Sequence, residues 1–245
     1  MSLNTSRPKI KPQPSQIVGS KCYIDVKFAT LIWAVTDLTT VRGMYRLCLK
    51  MLIEKSLFII VCPGIHEKAL TDDFVEAGLK PSFEHLTTSA NILIVPSDGV
   101  LALSGMHILQ FLGSSLRHQI KSPVIFISFS AGVVGAIFAA SSWQLLGGNV
   151  KRFIAIDGWG VPLWGNFPIH RMSHDYYTHW SSKILGSGQD NFYASPPVDH
   201  LSMWRIPQVV QGRWVDSSNE VSPPQSRPKS RLSAAEFLQM LLNRD

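Results

Sequence analysis

Ser130 stands where an apolar run, Val124-Ile-Phe-Ile-Ser128-Phe129 after Pro123, gives way to a second apolar stretch, Val133 to Leu146. The first run has the length and β-branched character of a buried strand, and the second is long enough for a core helix. A corner tight enough to push the intervening side chain out of the sheet requires small residues two positions before and two after it. Ser128 and Gly132 meet that requirement. A hydroxyl exposed there is placed to act as a nucleophile, provided that a base takes its proton and an acid orients the base. A serine at this position could equally cap the following helix by accepting one of its orphan backbone N–H groups.

The string Ser128-Phe-Ser130-Ala-Gly132 resembles the nucleophile elbow of the α/β-hydrolase superfamily, Gly-x-Ser-x-Gly, with Ser128 where the first glycine usually stands. The resemblance implies chain order serine, acid, histidine. Asp157 ends Arg152-Phe-Ile-Ala-Ile-Asp157-Gly158, immediately after the next strand, and is the implied acid; a turn aspartate beside glycine is the other reading. His200, the last of eight histidines, sits in Pro196-Pro-Val-Asp-His200-Leu-Ser-Met-Trp204, a loop about to enter a helix, and is the implied base. His170, His174 and His179 are its rivals, Asp190 is the rival acid, and Asp199 reads as a helix cap. The loop Val61-Cys-Pro-Gly64-Ile65-His66 resembles the superfamily's oxyanion loop, so the implied donors are the Ile65 and Ala131 N–H groups, with Gly64 shaping the turn. Pro63 has no N–H to offer, and His66 either lines the site or is an ordinary loop residue.

The resemblance spans about residues 57 to 204 and implies a three-layer α/β sandwich with a mostly parallel sheet. Two features depart from it. The acid follows the strand after the elbow strand, one strand earlier than its commoner place, and the stretch from Asp157 to His200 contains no long apolar strand. A reduced sheet, or a region made mostly of lid and loop, is therefore expected there. The implied activity is hydrolysis of a carboxylic ester or thioester through an acyl-enzyme, with a small-molecule acyl substrate and neither cofactor nor metal. A catalytically silent binding protein on the same fold and an acyltransferase are the alternatives.

Composition limits the other classes. With 45% hydrophobic and 16% charged residues in 245, the chain can bury a full core, which excludes a disordered chain. The formal charge of +6 resides in the ends: residues 1–24 hold Arg7, Lys9, Lys11 and Lys21 without an acid, and residues 226–245 have a basic surplus. The body is neutral, so no basic folded surface for nucleic acid is expected, while the tails could attach weakly to anionic membranes. Cys22, Cys48 and Cys62 form neither a disulfide framework nor a zinc motif, which favours a reducing, cytoplasmic setting. The apolar piece Phe28–Val35 is far short of the roughly 20 residues needed to span a bilayer. Gly186-Ser-Gly188 lacks the strand and helix of a dinucleotide fingerprint.

The elements that must position Ser130 follow from periodicity. Residues 1–20 read as a flexible lead, Tyr23–Phe28 as an edge strand, and Thr40–Glu54 as an amphipathic helix. Buried strands are expected at Leu57–Cys62, Ile92–Val95, Val124–Phe129 and Phe153–Ile156. The helices expected between and after them are Thr71–Ala77, capped by Gly78, then Ser104–Gln119 and one ending at Gly147-Gly148. Strands alternating with helices imply parallel pairing. The domain is placed at 21–211, with a lid-like or pocket-forming aromatic region at about 159–195, and 212–245 reads as a polar linker followed by a helix over Leu232–Leu242.

Overall fold

Strands buried on both faces lose the alternation of polar and apolar residues, and the run Leu57-Phe-Ile-Ile-Val-Cys62 is buried at every position. The computed structural model describes residues 56–82, 90–96, 98–186, 188, 190–216 and 231–244, which belong to one unit, Leu47–Asp245. The flexible lead, the edge strand over Tyr23–Phe28, the helix over Thr40–Glu54, Cys22 and Cys48 lie outside the described residues.

The strands are β1 (Leu57–Cys62), β2 (Ala90–Ile94), β3 (Pro123–Phe129), β4 (Asn149–Ile156), β5 (Ile169–Ser173), β6 (Asp190–Ala194), β7 (Gln211–Asp216) and β8 (Arg231–Ser233). They form one 8-stranded sheet in the order β2-β1-β3-β4-β5-β6-β7-β8. β1 to β6 are parallel, and β7 and β8 are added antiparallel. The helices are α1 (Lys68–Asp73), continued by a π-helix over Phe74–Leu79, then α2 (Gly105–Ser115), α3 (Gly132–Leu145), α4 (Tyr176–Lys183), α5 (Ser202–Arg205) and α6 (Ala234–Leu242).

Successive strand residues face opposite sides, and each side has its own core. Leu57, Ile59 and Val61 join Phe74, Leu79 and the α6 residues Phe237, Leu238 and Leu241. Phe58, Ile60 and Cys62 join Ile108 and Leu112 of α2 and Val133, Ala136 and Ile137 of α3 on the other. The result is a three-layer α/β sandwich with a mostly parallel central sheet, the fold expected from the sequence. From β1 the chain moves outward to β2 and then returns to β3 on the other side of β1. The loops leaving β1 and β3 therefore diverge and open a crevice at the carboxyl ends of these strands.

The segment after Asp157 departs from expectation. It contains β5, α4 and β6, so the sheet is not reduced there. These strands are five residues long and carry buried polar groups, His170, Arg171, Ser173, Asp190 and Asn191, which hides them from an apolar-run criterion. The division at 211/212 also falls inside the sheet, because Gln211–Asp216 and Arg231–Ser233 pair with each other and α6 supplies core residues. Gly78 lies within the π-helix and caps nothing; an added Cβ there would meet Phe74 and Pro207. After α3, Gly147 does take the left-handed conformation (φ 89°) that terminates a helix.

Of these buried polar groups, His170, Arg171, Asp190 and Asn191 are hydrogen-bonded, which is the condition for their burial. Asp190 accepts from Trp214 Nε1 at 2.8 Å and from Arg244 Nη1, and Arg152 Nη2 donates to the Arg244 carbonyl at 2.7 Å. His170, 2% exposed, contacts the Asp190 carbonyl through Nδ1 at 3.1 Å, which makes Nδ1 the protonated nitrogen. Burial lowers the His170 pKa to about 4. Between this value and the ordinary 6.5, the unfolded chain binds a proton that the native chain does not, so stability falls as pH drops through that window. Thermal or urea unfolding should lose on the order of 3 kcal/mol from this group between pH 6.5 and 4. His170→Gln should flatten that limb, and an unchanged limb would exclude His170 as its origin.

Candidate active site

β3 ends at Phe129, and Ser130 turns the chain with φ 51°, a left-handed conformation that costs a non-glycine residue about 1–3 kcal/mol. Close backbone approach imposes the turn. A Cβ on Gly132 would lie 2.3 Å from the Pro63 carbonyl oxygen and 2.7 Å from that of Cys62, and one on Gly64 would lie 3.0 Å from the Phe129 oxygen. The start of α3 is thus pressed against the loop after β1, where only glycine fits. Ser128 occupies the first-glycine position without conflict because its side chain is buried and its Oγ donates to the Ile154 carbonyl of β4 at 3.2 Å. The Ser130 N–H donates to the Ile156 carbonyl at 2.9 Å, tying the corner to the end of β4.

One residue past that carbonyl comes Asp157, also left-handed at φ 52°. Its N–H donates to Met172 of β5 at 2.8 Å, and its side chain is 1% exposed. His200 bridges the two corners: Nε2 lies 3.0 Å from Ser130 Oγ and Nδ1 lies 3.0 Å from Asp157 Oδ2. A carboxylate only accepts, so Nδ1 carries the hydrogen and Nε2 is left to accept from the Ser130 hydroxyl. The imidazole rests on Phe129, with centroids 4.8 Å apart and planes at 20°. Phe129 stacks on Trp204 at 4.9 Å, and Trp204 stacks on Phe74 at 3.6 Å. The strand residue preceding Ser130 therefore supplies the shelf on which the histidine lies.

The remaining candidates separate by their position along the strands. Ala131 takes the N-cap position of α3 and lines the same cleft as Ser130; the first N–H groups of a helix have no partner within it. Ile65 is 57% exposed on the loop after β1. His66 bonds Thr71 Oγ1 through Nε2 at 2.8 Å and meets Phe129 edge-on at 5.5 Å; burial, and then the nearby His200, lower its pKa. Asp199 is not the helix cap expected of it: it accepts from the Leu201 N–H at 3.0 Å, a local turn bond, and the N-cap of α5 is Leu201, with no side-chain cap. Asp190 and His170 belong to the starts of β6 and β5, whereas Ser130, Asp157 and His200 gather at the carboxyl ends. His179 is buried against Tyr193. His174, a rival for the base, follows β5 directly and binds Asp157 instead: its backbone N–H and its Nδ1 both contact Asp157 Oδ1, at 2.8 and 3.1 Å. Nothing in its sequence surroundings signals that role.

No family model matches the chain, and no curated protein matches it. Among solved structures it is similar to Trichoderma reesei cutinase in complex with a C11Y4 phosphonate inhibitor, at 11% identity over 63% of this chain and 85% of that one, with a TM-score of 0.36. A likeness that distant transfers no chemistry, and the site has to be read from its own atoms.

Ser130 opens into a cleft of about 440 Å³ lined by Ala131, Val134, Trp159, Val161 and Thr178 together with Asp157, His174 and His200. Arg171 of β5 holds the wall in place. Its guanidinium donates to the carbonyls of Gly186, Val161 and Leu185 at 2.7, 3.0 and 3.2 Å, and burial lowers its pKa to about 10. Trp159 donates through Nε1 to Ser181 Oγ at 3.0 Å. The aromatic region read as lid or pocket is divided: Trp159 lines the cleft, Phe167 and Phe192 are core, and Trp164, Tyr177 and Trp180 face outward. Asp157, His174 and His200 offer donor atoms within 4.8 Å of one another and are the described residues that could hold a metal ion. Their hydrogen bonds to one another already account for the cluster, and a cation would have to displace both imidazole N–H groups. Cys62 is buried, and burial pushes its thiol far up, so it is no nucleophile. Among the described residues no helix is long and apolar enough to cross a membrane.

Two substitutions probe the corner. Gly132→Ala must displace the loop after β1 and should cost about 1–3 kcal/mol in denaturant unfolding, the usual cost of overpacking. Ser130→Gly should raise the melting temperature, because glycine adopts the positive φ without strain; a drop would show that the serine's hydrogen bond outweighs its backbone strain.

Proposed function

We propose that the chain is a serine hydrolase of the α/β-hydrolase superfamily that cleaves a carboxylic ester or thioester of an apolar acyl group through an acyl-enzyme. The observation that carries this reading is the continuous relay from Ser130 Oγ through His200 to Asp157, 3.0 Å at each step, on a left-handed corner at the carboxyl end of the sheet.

Ser130 Oγ attacks the carbonyl carbon as His200 Nε2 takes its proton. The carbonyl oxygen becomes an oxyanion, for which the Ala131 and Ile65 N–H groups are the donors in this reading. Asp157 holds the Nδ1–H tautomer and stabilises the imidazolium. The bond to the leaving oxygen or sulfur then breaks, and His200 returns the proton to it. Water adds to the acyl-enzyme by the same route, giving the free acid and regenerating Ser130. The buried aromatic column beneath His200 excludes solvent from one side of the ring, which strengthens its charge interaction with Asp157.

Val134, Trp159 and Val161 give the cleft an apolar wall, which supports an apolar acyl group over a charged one. Intact-mass analysis after a fluorophosphonate probe tests the reading. Wild type should gain one adduct, Ser130→Ala and His200→Ala none, and Asp157→Asn should label about 10⁴-fold more slowly because it stabilises the wrong tautomer. Folded wild type that stays unlabelled would favour the silent binding protein.

A further inference from the structure

A carboxylate that orients one imidazole is ordinary for such a relay, but Asp157 faces two. Oδ2 meets His200 Nδ1, and Oδ1 meets both the backbone N–H and the Nδ1 of His174. The His174 ring stands edge-on to that of His200, at 81° with centroids 5.9 Å apart, and lines the same cleft. Its backbone is anchored as well, since the His174 carbonyl accepts from the Val198 N–H at 3.0 Å, two residues before His200.

The geometry points to His174 as a positioning residue that fixes the Asp157 carboxylate through two N–H donors and couples the basicity of His200 to its own protonation. The inference rests on the hydrolase reading above.

Two donors on one oxygen prevent the carboxylate from turning about its own axis, so Oδ2 stays aimed at His200. The electrostatic consequence concerns sharing. The groups facing His174 are Asp157, Asp175, whose Oδ2 lies 3.8 Å from Nε2, Asp199 and His200. The Asp157 hydrogen bond holds the His174 pKa above its ordinary value, against the burial that lowers it. As pH falls, His174 becomes a cation on the anion that must stabilise the His200 imidazolium. One carboxylate then serves two positive charges, and His200 becomes a weaker base.

The test compares the rate of fluorophosphonate labelling across pH for wild type, His174→Ala and His174→Asn, with ¹H–¹⁵N spectra of the histidine rings as a second readout. Asparagine can present an N–H near the Nδ1 position without titrating. Above the His174 pKa, His174→Ala should label about 10- to 100-fold more slowly than wild type, and His174→Asn should recover most of the rate. The wild-type labelling rate should fall by an additional step on the acid side as His174 protonates, and His174→Asn should lack that step. The ring spectra should place the His174 titration above the ordinary histidine range in Ser130→Ala and return it there in Asp157→Asn. Labelled wild type with His174→Ala matching it in rate and pH profile overturns the inference alone; folded wild type that is never labelled defeats the hydrolase reading and the inference with it.

Discussion

A carboxylate with 1% of its side chain exposed can remain an anion only while its oxygens are satisfied, and the rest of the site is arranged around that requirement at Asp157. The arrangement follows from strand register. Phe129 of β3 pairs with Ile156 of β4, and Ile156 pairs with Met172 of β5. Ser130 and Asp157 each stand one residue past these partners, and each donates its N–H to the neighbouring strand, to Ile156 and Met172. Ser130, Asp157 and His174 therefore stand in a row along the rim of three adjacent parallel strands.

This row explains how Asp157, on the strand next to β3, reaches the same imidazole as Ser130. Neighbouring strands lie about 4.8 Å apart, so Ser130 and Asp157 are too close to accommodate an imidazole in line within the sheet. His200 instead comes from outside, on the loop beyond β6, and bridges the two from above, with one nitrogen to each. It needs a surface to rest on, and Phe129, Trp204 and Phe74 provide a buried stack of rings. Trp204 belongs to α5, which begins two residues after His200. The segment that delivers His200 thus also carries part of its support.

The legible and illegible parts of the chain differ in a physical way. β1, most of β3 and the second half of β4, Phe153–Ile156, are buried between two helical layers and are apolar almost throughout, so they are visible as runs, and the residue ending such a run, Ser130 or Asp157, is visible with them. β5 and β6 are buried too, but they replace side-chain hydrophobicity with hydrogen bonding: Arg171 to loop carbonyls, Asn191 Oδ1 to the Arg171 N–H at 3.0 Å, and Asp190 to Trp214 and Arg244. Hydropathy does not register that exchange. β7 and β8 are concealed differently, since a polar, proline-rich stretch separates them in the sequence. His174 had no signal, because its role depends on the sheet bringing the end of β5 beside the end of β4.

Arg171 connects these hidden strands to the cleft wall. A buried guanidinium carries five donors and no acceptor, and here they are directed at backbone carbonyls on two separate loops, one of which bears Val161 of the cleft wall. Carbonyl oxygens belong to every residue type, so this clamp fixes the path of the loop while leaving its side chains unconstrained. The relay obeys the opposite rule: Gly132, Gly64 and Ser130 are restricted atom by atom at the corner. The relay and the cleft wall therefore rest on separate constraints, with the geometry of Ser130, His200 and Asp157 set by backbone packing at the ends of β1, β3 and β4 and the path of the wall set by loops held through β5. Substitutions at Trp159 or Val161 change the cleft wall without disturbing the geometry of Ser130, His200 and Asp157, and that is why the same frame fixes the relay more tightly than it fixes what the cleft admits.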